Sequence, residues 1–383
     1  MKQNLKWIIL FCIVLIGIVY VSISLFHKRE EYIYFEGVNA LLSNQKYYYT
    51  AGSTNNNMSH TEKAKISRYD LKKEKNLEKI YNVGYSSTFS DLILDENDIV
   101  AVGSYEKSEE DHKNKVKRAL IVKFDKSGNI LFENDFMILE NSTYTNIIQV
   151  GDYYYVCGQS VYQSTKVGSK EGGALLVKYD KDGNMIWNKI YGNSKNSIYS
   201  DLIMVNDFIY VVGFGTNTSV LVQYDMDGNI VHQTEYSTNE SNGFQNLLVV
   251  QDKIYVCGSI LNENNSLDGL IVKYDFDCNL VGEVRYHNTS NNQFKKLIVD
   301  EDDYIICVGL SSTKTSDGLI VKYDSNLKLL DSVTYGDEND DYFTDILLDE
   351  KEYLVVGYSS YEDEGYMSKF IRYSKALKVL NVE

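Results

Sequence analysis

The chain has 383 residues, a formal net charge of −16 at neutral pH, and 44% hydrophobic residues. So large an apolar share argues for a globular core and against a wholly disordered chain, and the acidic balance argues against nucleic-acid binding through a basic surface. Tyrosine is abundant, with 33 copies, and proline is absent, which favours β-strands over proline-rich linkers.

The first element is a run of twenty uncharged residues, 7–26, which follows a short tail of residues 1–6. A helix of this length spans roughly 30 Å, the hydrocarbon thickness of a bilayer. The alternative is a cleaved signal peptide with Ser22 and Ser24 before the cut, but the run is long for such a segment. We therefore predict a single-pass transmembrane anchor in the cell membrane.

The orientation of this anchor is not set by its flanking charges. Lys2 and Lys6 precede the run, and Lys28 and Arg29 follow it, so the positive-inside rule favours neither side. By analogy with other chains that begin with one apolar segment, we expect the rest of the chain to be extracytoplasmic. We expect residues 27–36 to form a juxtamembrane linker. Residues 32–35, near the end of this linker, could pair beside the last strand of the chain and so close a ring.

From residue 37 to residue 383 the sequence repeats one unit seven times. The segment GLIVKYD at residues 269–275 recurs unchanged at 318–324, and variants occur in the other five units. Each unit also has a glycine that ends a short apolar strand, eleven residues after an apolar position that opens another strand, or twelve in the sixth unit. These glycines are Gly52, Gly103, Gly158, Gly213, Gly258, Gly309 and Gly357.

Each unit reads as four short strands. Tight turns rich in Asn, Asp and Gly join the first strand to the second and the third to the fourth. The third strand is apolar on consecutive residues, as expected when both of its faces are buried. We therefore predict an all-β fold, a seven-bladed β-propeller of four-stranded antiparallel blades. A solenoid is the alternative, but neither end carries a polar cap.

The run ALLVKYDKDGNMIWNKIYG at residues 174–192 resembles the repeat of bacterial cell-surface β-propeller proteins. In that repeat a V-K-x-D-x-x-G-N-x-x-W-x-K-x-Y-G strand pair precedes a G-Y-x-V-x-G strand. The likeness extends from residue 31 to the C-terminus, although only one unit has the tryptophan, Trp187, and the usual double glycine is lost. It implies extracytoplasmic display and no particular activity, because such propellers serve many functions.

Loop lengths suggest where a partner binds. Connections between the second and third strands, and between units, vary in length, and in an up-and-down blade both emerge on one face. Function concentrates in loops held by a rigid scaffold, so we predict that this variable face binds a protein or a glycan. Acidic clusters at residues 109–111, 337–341 and 362–364 lie there and could attract a cation or a basic partner, although a solvated surface is the plainer account.

A second candidate site lies on the first strands, where six of the seven units have a polar residue just before the apolar opening position. If the first strand is innermost, these residues surround a central channel and could bind a small polar ligand or a cation. The candidate ligand-binding residues are Asp91, Asn146, Asp201, Asn246 and Asp345. Lys296 occupies this position in the sixth unit, and Ala40 breaks the polar set in the first. The structural alternative is that these side chains bond to main-chain amides at strand ends.

Two residues before each of these polar positions stands an aromatic residue. The set could stack on sugars, or it could pack between adjacent blades, as its presence regardless of loop content favours. Its members are Phe89, Tyr144, Tyr199, Phe244, Phe294 and Phe343.

No catalytic or metal signature is complete. The turn that begins at Asp180 resembles a calcium loop but lacks the bidentate Glu, and other units lose the second carboxylate, which favours a simple turn. We expect no catalytic residues, no metal site and no cofactor, with a bound cation such as calcium as the alternative. The histidines are scattered, and there is no nucleophile elbow or phosphate loop. Cys157, Cys257 and Cys307 read as small core residues.

The leading hypothesis is a membrane-anchored, extracytoplasmic propeller that binds a protein or glycan through its variable face. The alternative is a propeller enzyme of the hydrolase, lyase or quinoprotein kind with its site at the central channel. A structural spacer without a specific ligand is the third reading.

Overall fold

The computed structural model describes residues 34–56, 61–72, 74–108, 115–161, 172–192, 196–215, 218–236, 238, 240–361 and 365–382. These residues contain no candidate membrane-spanning helix. The predicted anchor at residues 7–26 lies outside them, as do linker residues 27–33.

Twenty-eight strands follow one another through the described residues. The first twelve are β1 Tyr34–Ser43, β2 Tyr47–Asn56, β3 Glu62–Asp70, β4 Lys75–Tyr81, β5 Ser86–Asp95, β6 Asp98–Ser108, β7 Lys115–Phe124, β8 Ile130–Phe136, β9 Asn141–Val150, β10 Tyr153–Val161, β11 Gly172–Asp180 and β12 Met185–Tyr191.

The remaining sixteen strands continue the same order. They are β13 Ile198–Val205, β14 Phe208–Phe214, β15 Ser219–Tyr224, β16 Ile230–Tyr236, β17 Asn242–Val250, β18 Lys253–Leu261, β19 Leu267–Tyr274, β20 Leu280–Tyr286, β21 Asn291–Val299, β22 Ile305–Ser312, β23 Ser316–Tyr323, β24 Leu329–Tyr335, β25 Asp340–Asp349, β26 Glu352–Tyr361, β27 Gly365–Ser374 and β28 Val379–Val382.

Hydrogen bonds divide these strands into five separate four-stranded sheets and one eight-stranded sheet. The four-stranded sheets are antiparallel and follow chain order. The eight-stranded sheet holds β5–β12, and a single parallel bridge between Lys117 and Asn141 joins its two halves through β7 and β9. The prediction of four-stranded antiparallel blades is confirmed. The predicted count of seven separate blades is wrong. The hydrogen bonds define five separate four-stranded blades, and the other eight strands share one sheet.

We number the four-stranded units in chain order and count the two halves of the large sheet as the second and third units. First strands of neighbouring units contact one another around the whole molecule, and β1 contacts β25 to close the ring. The first strands are therefore innermost, as the sequence reading assumed. The fold is a β-propeller with a central channel bordered by first strands.

The ring closes by packing and not by a shared sheet. Thr344 Oγ1 in β25 donates to the main-chain oxygen of Val38 in β1, at 2.7 Å. The prediction that residues 32–35 pair with the last unit is wrong for the two described members, because Tyr34 and Phe35 pair with Asn56 and Asn55 in β2. The short strand β28 serves as the outer strand of the last unit.

The core lies between the units. Leu270, Ile271 and Val272 of β19 are consecutive and all fully buried. Leu270 and Val272 pack in the cluster shared with the fourth unit, whereas Ile271 packs in the cluster shared with the sixth. Burial of one such side chain stabilises the fold by about 1.5–3 kcal/mol. The consecutive apolar residues of the third strands are thus explained by burial on both faces.

A β-bulge marks every first strand, and the repeated glycine lies opposite it. In the fifth unit the register shifts between Phe244 and Asn246, where Phe244 pairs with Gly258. A Cβ atom on Gly258 would overlap the main-chain oxygen of Gly243, so only glycine allows this approach. The glycine does not end the second strand, as the sequence suggested, because β18 continues to Leu261.

Candidate functional site

The predicted channel residues occupy equivalent positions, each directly after the bulge of a first strand. The structure brings several of them together: Asn246 donates to the carboxylate of Asp201, and Lys296 Nζ lies 4.0 Å from Asp345 Oδ1. Lys296 also interacts electrostatically with Asp91 and Asp201 across the channel. Six polar side chains from six units therefore form one set, which we call the channel ring: Asp91, Asn146, Asp201, Asn246, Lys296 and Asp345.

Most members of the channel ring accept hydrogen bonds from main-chain amides of the next unit. Asp345 Oδ2 accepts from Leu41 N at 2.8 Å, and Asn246 Oδ1 accepts from Leu297 N at 3.0 Å. Asp91 Oδ2 does the same for Ile147 N at 3.0 Å. These bonds tie neighbouring first strands together and are of the kind that the structural alternative expected, although the amides lie within strands of the next unit. Ligand binding by the ring stays a prediction.

The bulge residues add a reciprocal set of bonds in three units. Asn39 Nδ2 donates to the main-chain oxygen of Phe89 at 2.8 Å, and Thr145 Oγ1 donates to that of Tyr199 at 2.6 Å. Thr344 Oγ1 makes the equivalent bond to the main-chain oxygen of Val38, which occupies the aromatic position in the first unit. Among the described residues, both kinds of bond occur together only at the junction between the seventh and first units, where Asp345 accepts from Leu41 N and Thr344 donates to the oxygen of Val38.

Burial and one central cation set the electrostatics of the ring. Burial raises the pKa of Asp91 to about 7, although Lys296 and the amide of Ile147 oppose the shift. Burial likewise raises the pKa of Asp201 and Asp345. Burial alone would lower the pKa of Lys296, but the three carboxylates outweigh it and raise that pKa. The channel therefore holds one carboxyl group, that of Asp91, able to exchange a proton near neutral pH, beside the ammonium group of Lys296.

The aromatic set packs between units and offers no surface to a sugar. Tyr144 is fully buried and stacks on Phe136 of the preceding unit at 6.1 Å, and Phe343 stacks on Tyr335 at 6.1 Å. The other four members pack in the same way on the last aromatic residue of the preceding outer strand. The structural alternative is confirmed for this set.

The calcium-like turns use their carboxylates to hold the turn. Asp180 Oδ1 accepts from the amides of Asp182 at 3.0 Å and Asn184 at 2.8 Å, and Oδ2 accepts from Asn184 Nδ2 at 2.9 Å. Gly183 has a φ of +81°, which glycine adopts freely. No group of three His, Cys, Asp or Glu side chains arranged to hold a metal occurs in the described part of the chain.

The acidic clusters differ in what they contact. Asp340 Oδ1 accepts from Ser316 N at 2.7 Å, and Asp341 is buried beside Lys369 at 3.2 Å. Asp340 thus joins the seventh unit to the sixth, whereas Asp341 pairs within the seventh unit. The clusters at residues 109–111 and 362–364 lie outside the described residues.

The cysteine prediction is confirmed for the three second-strand residues. Cys157, Cys257 and Cys307 are fully buried, and burial raises the pKa of each thiol. None of the described cysteines forms a disulfide. They are inert core residues.

Sequence reasoning missed a second polar set on the face opposite the variable loops. Asp95, Asp300 and Asp349 each end or directly follow a first strand, and each is followed by Glu. Each accepts a hydrogen bond from a tyrosine of the next unit. The recurring Asp-Glu pair was the available signal.

Loop lengths also differ from the sequence reading. The connections between second and third strands range from three residues in the sixth and seventh units to ten in the third. The connections between units have only four to six residues. Variation on this face is thus concentrated in one class of loop.

Comparison with known proteins supports the fold and nothing finer. No protein-family model matches the chain, and no curated protein matches its sequence. Among solved structures, an ulvan lyase described as a new family of polysaccharide lyase is similar at a TM-score of 0.62 and 12% identity, covering 88% of this chain and 94% of that one. A putative 6-phosphogluconolactonase from Bacteroides fragilis is similar at 0.54 and 12%, covering 88% and 94%.

A third solved structure, Sqt1 from Chaetomium thermophilum, is similar at a TM-score of 0.54 and 10% identity, covering 92% of this chain and 89% of that one. At identities this low, structural similarity shows the β-propeller fold alone and says nothing about activity.

Proposed function

We propose that this chain is a membrane-anchored, extracytoplasmic β-propeller that binds a protein or a glycan through its variable face. The observation that carries the proposal is the contrast between the faces. Connections between second and third strands range from three to ten residues, whereas those on the opposite face have two to five. A rigid ring with one variable set of loops is suited to recognition.

Three further points support this proposal. Four of the six channel-ring residues accept hydrogen bonds from main-chain amides of the next unit, which leaves the loops as the surface free to vary. The apolar run at residues 7–26 has the length of a membrane span. The repeat resembles those of bacterial cell-surface propellers. We also propose that β5–β8 and β9–β12 act as two blades, which gives a seven-bladed ring.

Two exposed lysines of the sixth unit provide a matched test. Lys314 lies in the connection between the second and third strands, and Lys328 lies at the end of the turn between the third and fourth. A photoreactive cross-linker attached at residue 314 of the full chain should capture a specific partner. The chain is tested once in a cell-surface extract and once on a glycan array. The same group at residue 328 should not capture a partner. Equal capture from both positions would contradict the proposal.

Membrane orientation needs a separate test. Protease added to intact cells should cleave the connection at residues 162–171, since the propeller is proposed to lie outside the membrane. Cleavage only after lysis would contradict the extracytoplasmic location and leave the loop-binding proposal to the cross-linking result.

An enzyme with a site in the channel is the second candidate, and the electrostatics of the ring favour it. Asp91, with a pKa raised to about 7, interacts with Lys296 inside the channel, an arrangement suited to general acid–base catalysis. The full chain should then act on a sugar lactone or a uronic-acid polysaccharide. Asp91→Asn, which keeps an acceptor for Ile147 N, should abolish turnover without unfolding the ring. Lack of turnover by the wild type on both substrate classes would argue against this candidate.

A further inference from the structure

A polar cluster recurs at three junctions between units, on the face opposite the variable loops. Each contains an acid at the end of a first strand, a base on the third strand of the same unit, and a tyrosine on the second strand of the next unit. The three clusters are Asp95 with Lys123 and Tyr154, Asp300 with Lys322 and Tyr353, and Asp349 with Arg372 and Tyr48.

At the first of these junctions every carboxylate oxygen of Asp95 is used. Oδ2 accepts from Lys123 Nζ and Tyr154 Oη, both at 2.6 Å. Oδ1 accepts from Lys181 Nζ at 3.2 Å and Gln149 Nε2 at 3.0 Å. Lys181 belongs to the next unit and directly follows its third strand. It also interacts with Glu96, the residue after Asp95, so this lysine covers the Asp-Glu pair.

The second junction has the same cover. Lys375 directly follows the third strand of the seventh unit, as Lys181 does in the third. Its Nζ lies 2.6 Å from Glu301 and 3.0 Å from Asp302. An ammonium group from the next unit therefore neutralises the acids at both junctions.

Within the described part of the chain, the junction between the last and first units lacks this cover. Leu71 stands at the position of Lys181 and is 56% exposed, and Ser43 stands at the position of Gln149. Asp349 Oδ2 contacts Arg372 and Tyr48. No hydrogen bond reaches Asp349 Oδ1 from the described residues. Leu71 and Ser43 thus replace Lys181 and Gln149, the two residues that donate to Oδ1 of Asp95.

A cavity of about 700 Å³ lies at this junction, within the size range of small-molecule sites. We call it the seam cavity. Four of its lining residues come from the first unit and four from the last: Ser43, Gln45, Tyr48, Leu71, Leu348, Asp349, Glu350 and Arg372.

We propose that the seam cavity binds an ammonium group on an alkyl stem, as carried by a lysine side chain or a free alkylamine. Asp349 would contact the ammonium group, as Asp95 contacts Lys181, and Glu350 would add a favourable electrostatic interaction, as Glu96 does there. Leu71 and Leu348 provide apolar walls for the stem, since lysine side chains pack their methylenes on apolar surface. Arg372 is already paired with Asp349 and Glu352, so the acids keep an unbalanced negative charge.

The chemistry of the cavity also predicts what it rejects. A neutral ligand of the same shape would cover Asp349 without bonding to it, which costs free energy. A charge-assisted hydrogen bond should therefore favour the amine over a neutral analogue by about tenfold. The site lies opposite the variable face, so it does not rest on the proposed function.

Calorimetric titration of the full chain tests the proposal. The probes are Nα-acetyl-lysine methylamide, whose side-chain ammonium group is free, and n-pentylamine. The neutral control is Nα-acetyl-norleucine methylamide. We expect both amines to bind at least about tenfold more tightly than the control, with one site per chain. Preference for the lysine derivative over pentylamine would indicate a peptide ligand, and equal binding a free amine.

Three variants separate the site from general surface effects. Leu71→Lys supplies the missing ammonium group from the chain itself and should abolish amine binding, whereas the exposed control Leu71→Met should keep it. Lys181→Leu with Gln149→Ser should create a second site at the other junction. Amine binding that is unchanged in Leu71→Lys, or no preference of the wild type for amines over norleucine, would overturn the proposal.

Discussion

The phenolic oxygens of Tyr199 and Tyr224 lie 2.7 Å apart inside the fourth unit, where both side chains are buried. The two residues come from the first and third strands, and their rings meet edge to face at 6.3 Å. Tyr144 and Tyr179 repeat the arrangement in the third unit, with their hydroxyl oxygens 2.5 Å apart. Each hydroxyl group thus satisfies the other in an otherwise apolar core.

The same two positions are filled differently elsewhere. The second unit has Phe89 against Phe124, with no hydroxyl group. The fifth unit has Phe244 against Tyr274, and the Tyr274 hydroxyl group is buried without a hydrogen-bond partner in the described residues. Tyr323 and Tyr373 occupy this position in the sixth and seventh units, and their hydroxyl groups are likewise buried without a partner in the described residues.

We predict opposite effects for one substitution at two equivalent positions. Tyr224→Phe should lower the free energy of unfolding by about 1–2 kcal/mol, because the hydroxyl group of Tyr199 loses its buried partner. Tyr274→Phe should leave stability unchanged or raise it, since it removes an unsatisfied group. Urea unfolding monitored by tyrosine fluorescence measures both. Equal losses in the two variants would contradict this account of the aromatic pairs.

The channel ring should contribute to stability through its bonds to main-chain amides. Asp201 accepts from Leu202 N at 2.9 Å and Leu247 N at 3.0 Å. Asp201→Ala should therefore cost about 2–4 kcal/mol, since two buried amides lose their acceptor. Asn146 is half-buried, and no hydrogen bond of its side chain to a described residue is found. Asn146→Ala should thus cost no more than about 0.5 kcal/mol. Thermal unfolding compares the two, and similar losses would count against a bracing role.

Asp91 should make stability fall as pH rises. Its pKa is raised from 3.8 to about 7 in the folded chain, mainly by burial. Between these values the folded state holds a proton that the unfolded state has lost, so rising pH destabilises the fold, and the loss is complete above pH 7. Asp91→Asn removes this loss. The free energy of unfolding of this variant should exceed that of the wild type by up to about 4 kcal/mol at pH 8 and should equal it at pH 4.

Asp180→Asn provides the control for this pH effect. The pKa of Asp180 is lowered, first by the hydrogen bond from the Asn184 side chain, so its contribution is present at neutral pH and is lost as pH falls. The control should show no gain at pH 8. A stability difference between Asp91→Asn and the wild type that does not change with pH would refute the prediction.

The repeat made most of this fold predictable, because strand periodicity and turn chemistry are local properties. The four short strands expected of each unit are present, as β13, β14, β15 and β16 of the fourth unit show. The pairing of units was harder to foresee. The bridge between Lys117 and Asn141 and the role of Tyr34 in β1 depend on contacts between distant parts of the chain.

The candidate site was predicted as a set of positions but not as a set of contacts. Sequence placed Asp201 and Asp345 around a channel, which the structure shows. It could not show that their oxygens face the amides of Leu247 and Leu41, since this depends on the bulge geometry of the neighbouring unit. The seam cavity was equally hidden, because the exchange of Lys181 for Leu71 has meaning only once the units are superimposed in space.

The most repeated segment of the chain offers a last test. Asp275 ends GLIVKYD, and its Oδ1 accepts from the amides of Asp277 at 3.0 Å and Asn279 at 2.8 Å. Asp275→Ala should lower the free energy of unfolding by about 1 kcal/mol, because the turn loses these bonds. Asp277 makes no such bond with its side chain in the described residues, so Asp277→Ala is the control and should be neutral.

The same two variants distinguish a turn from a metal site. If Asp275 serves only the turn, the melting temperature of the wild type should not change when a chelator or millimolar calcium is added, and the loss in Asp275→Ala should be the same in both conditions. A calcium-dependent rise in melting temperature that disappears in both Asp275→Ala and Asp277→Ala would show instead that the turn binds the ion, because both carboxylates would then act as ligands.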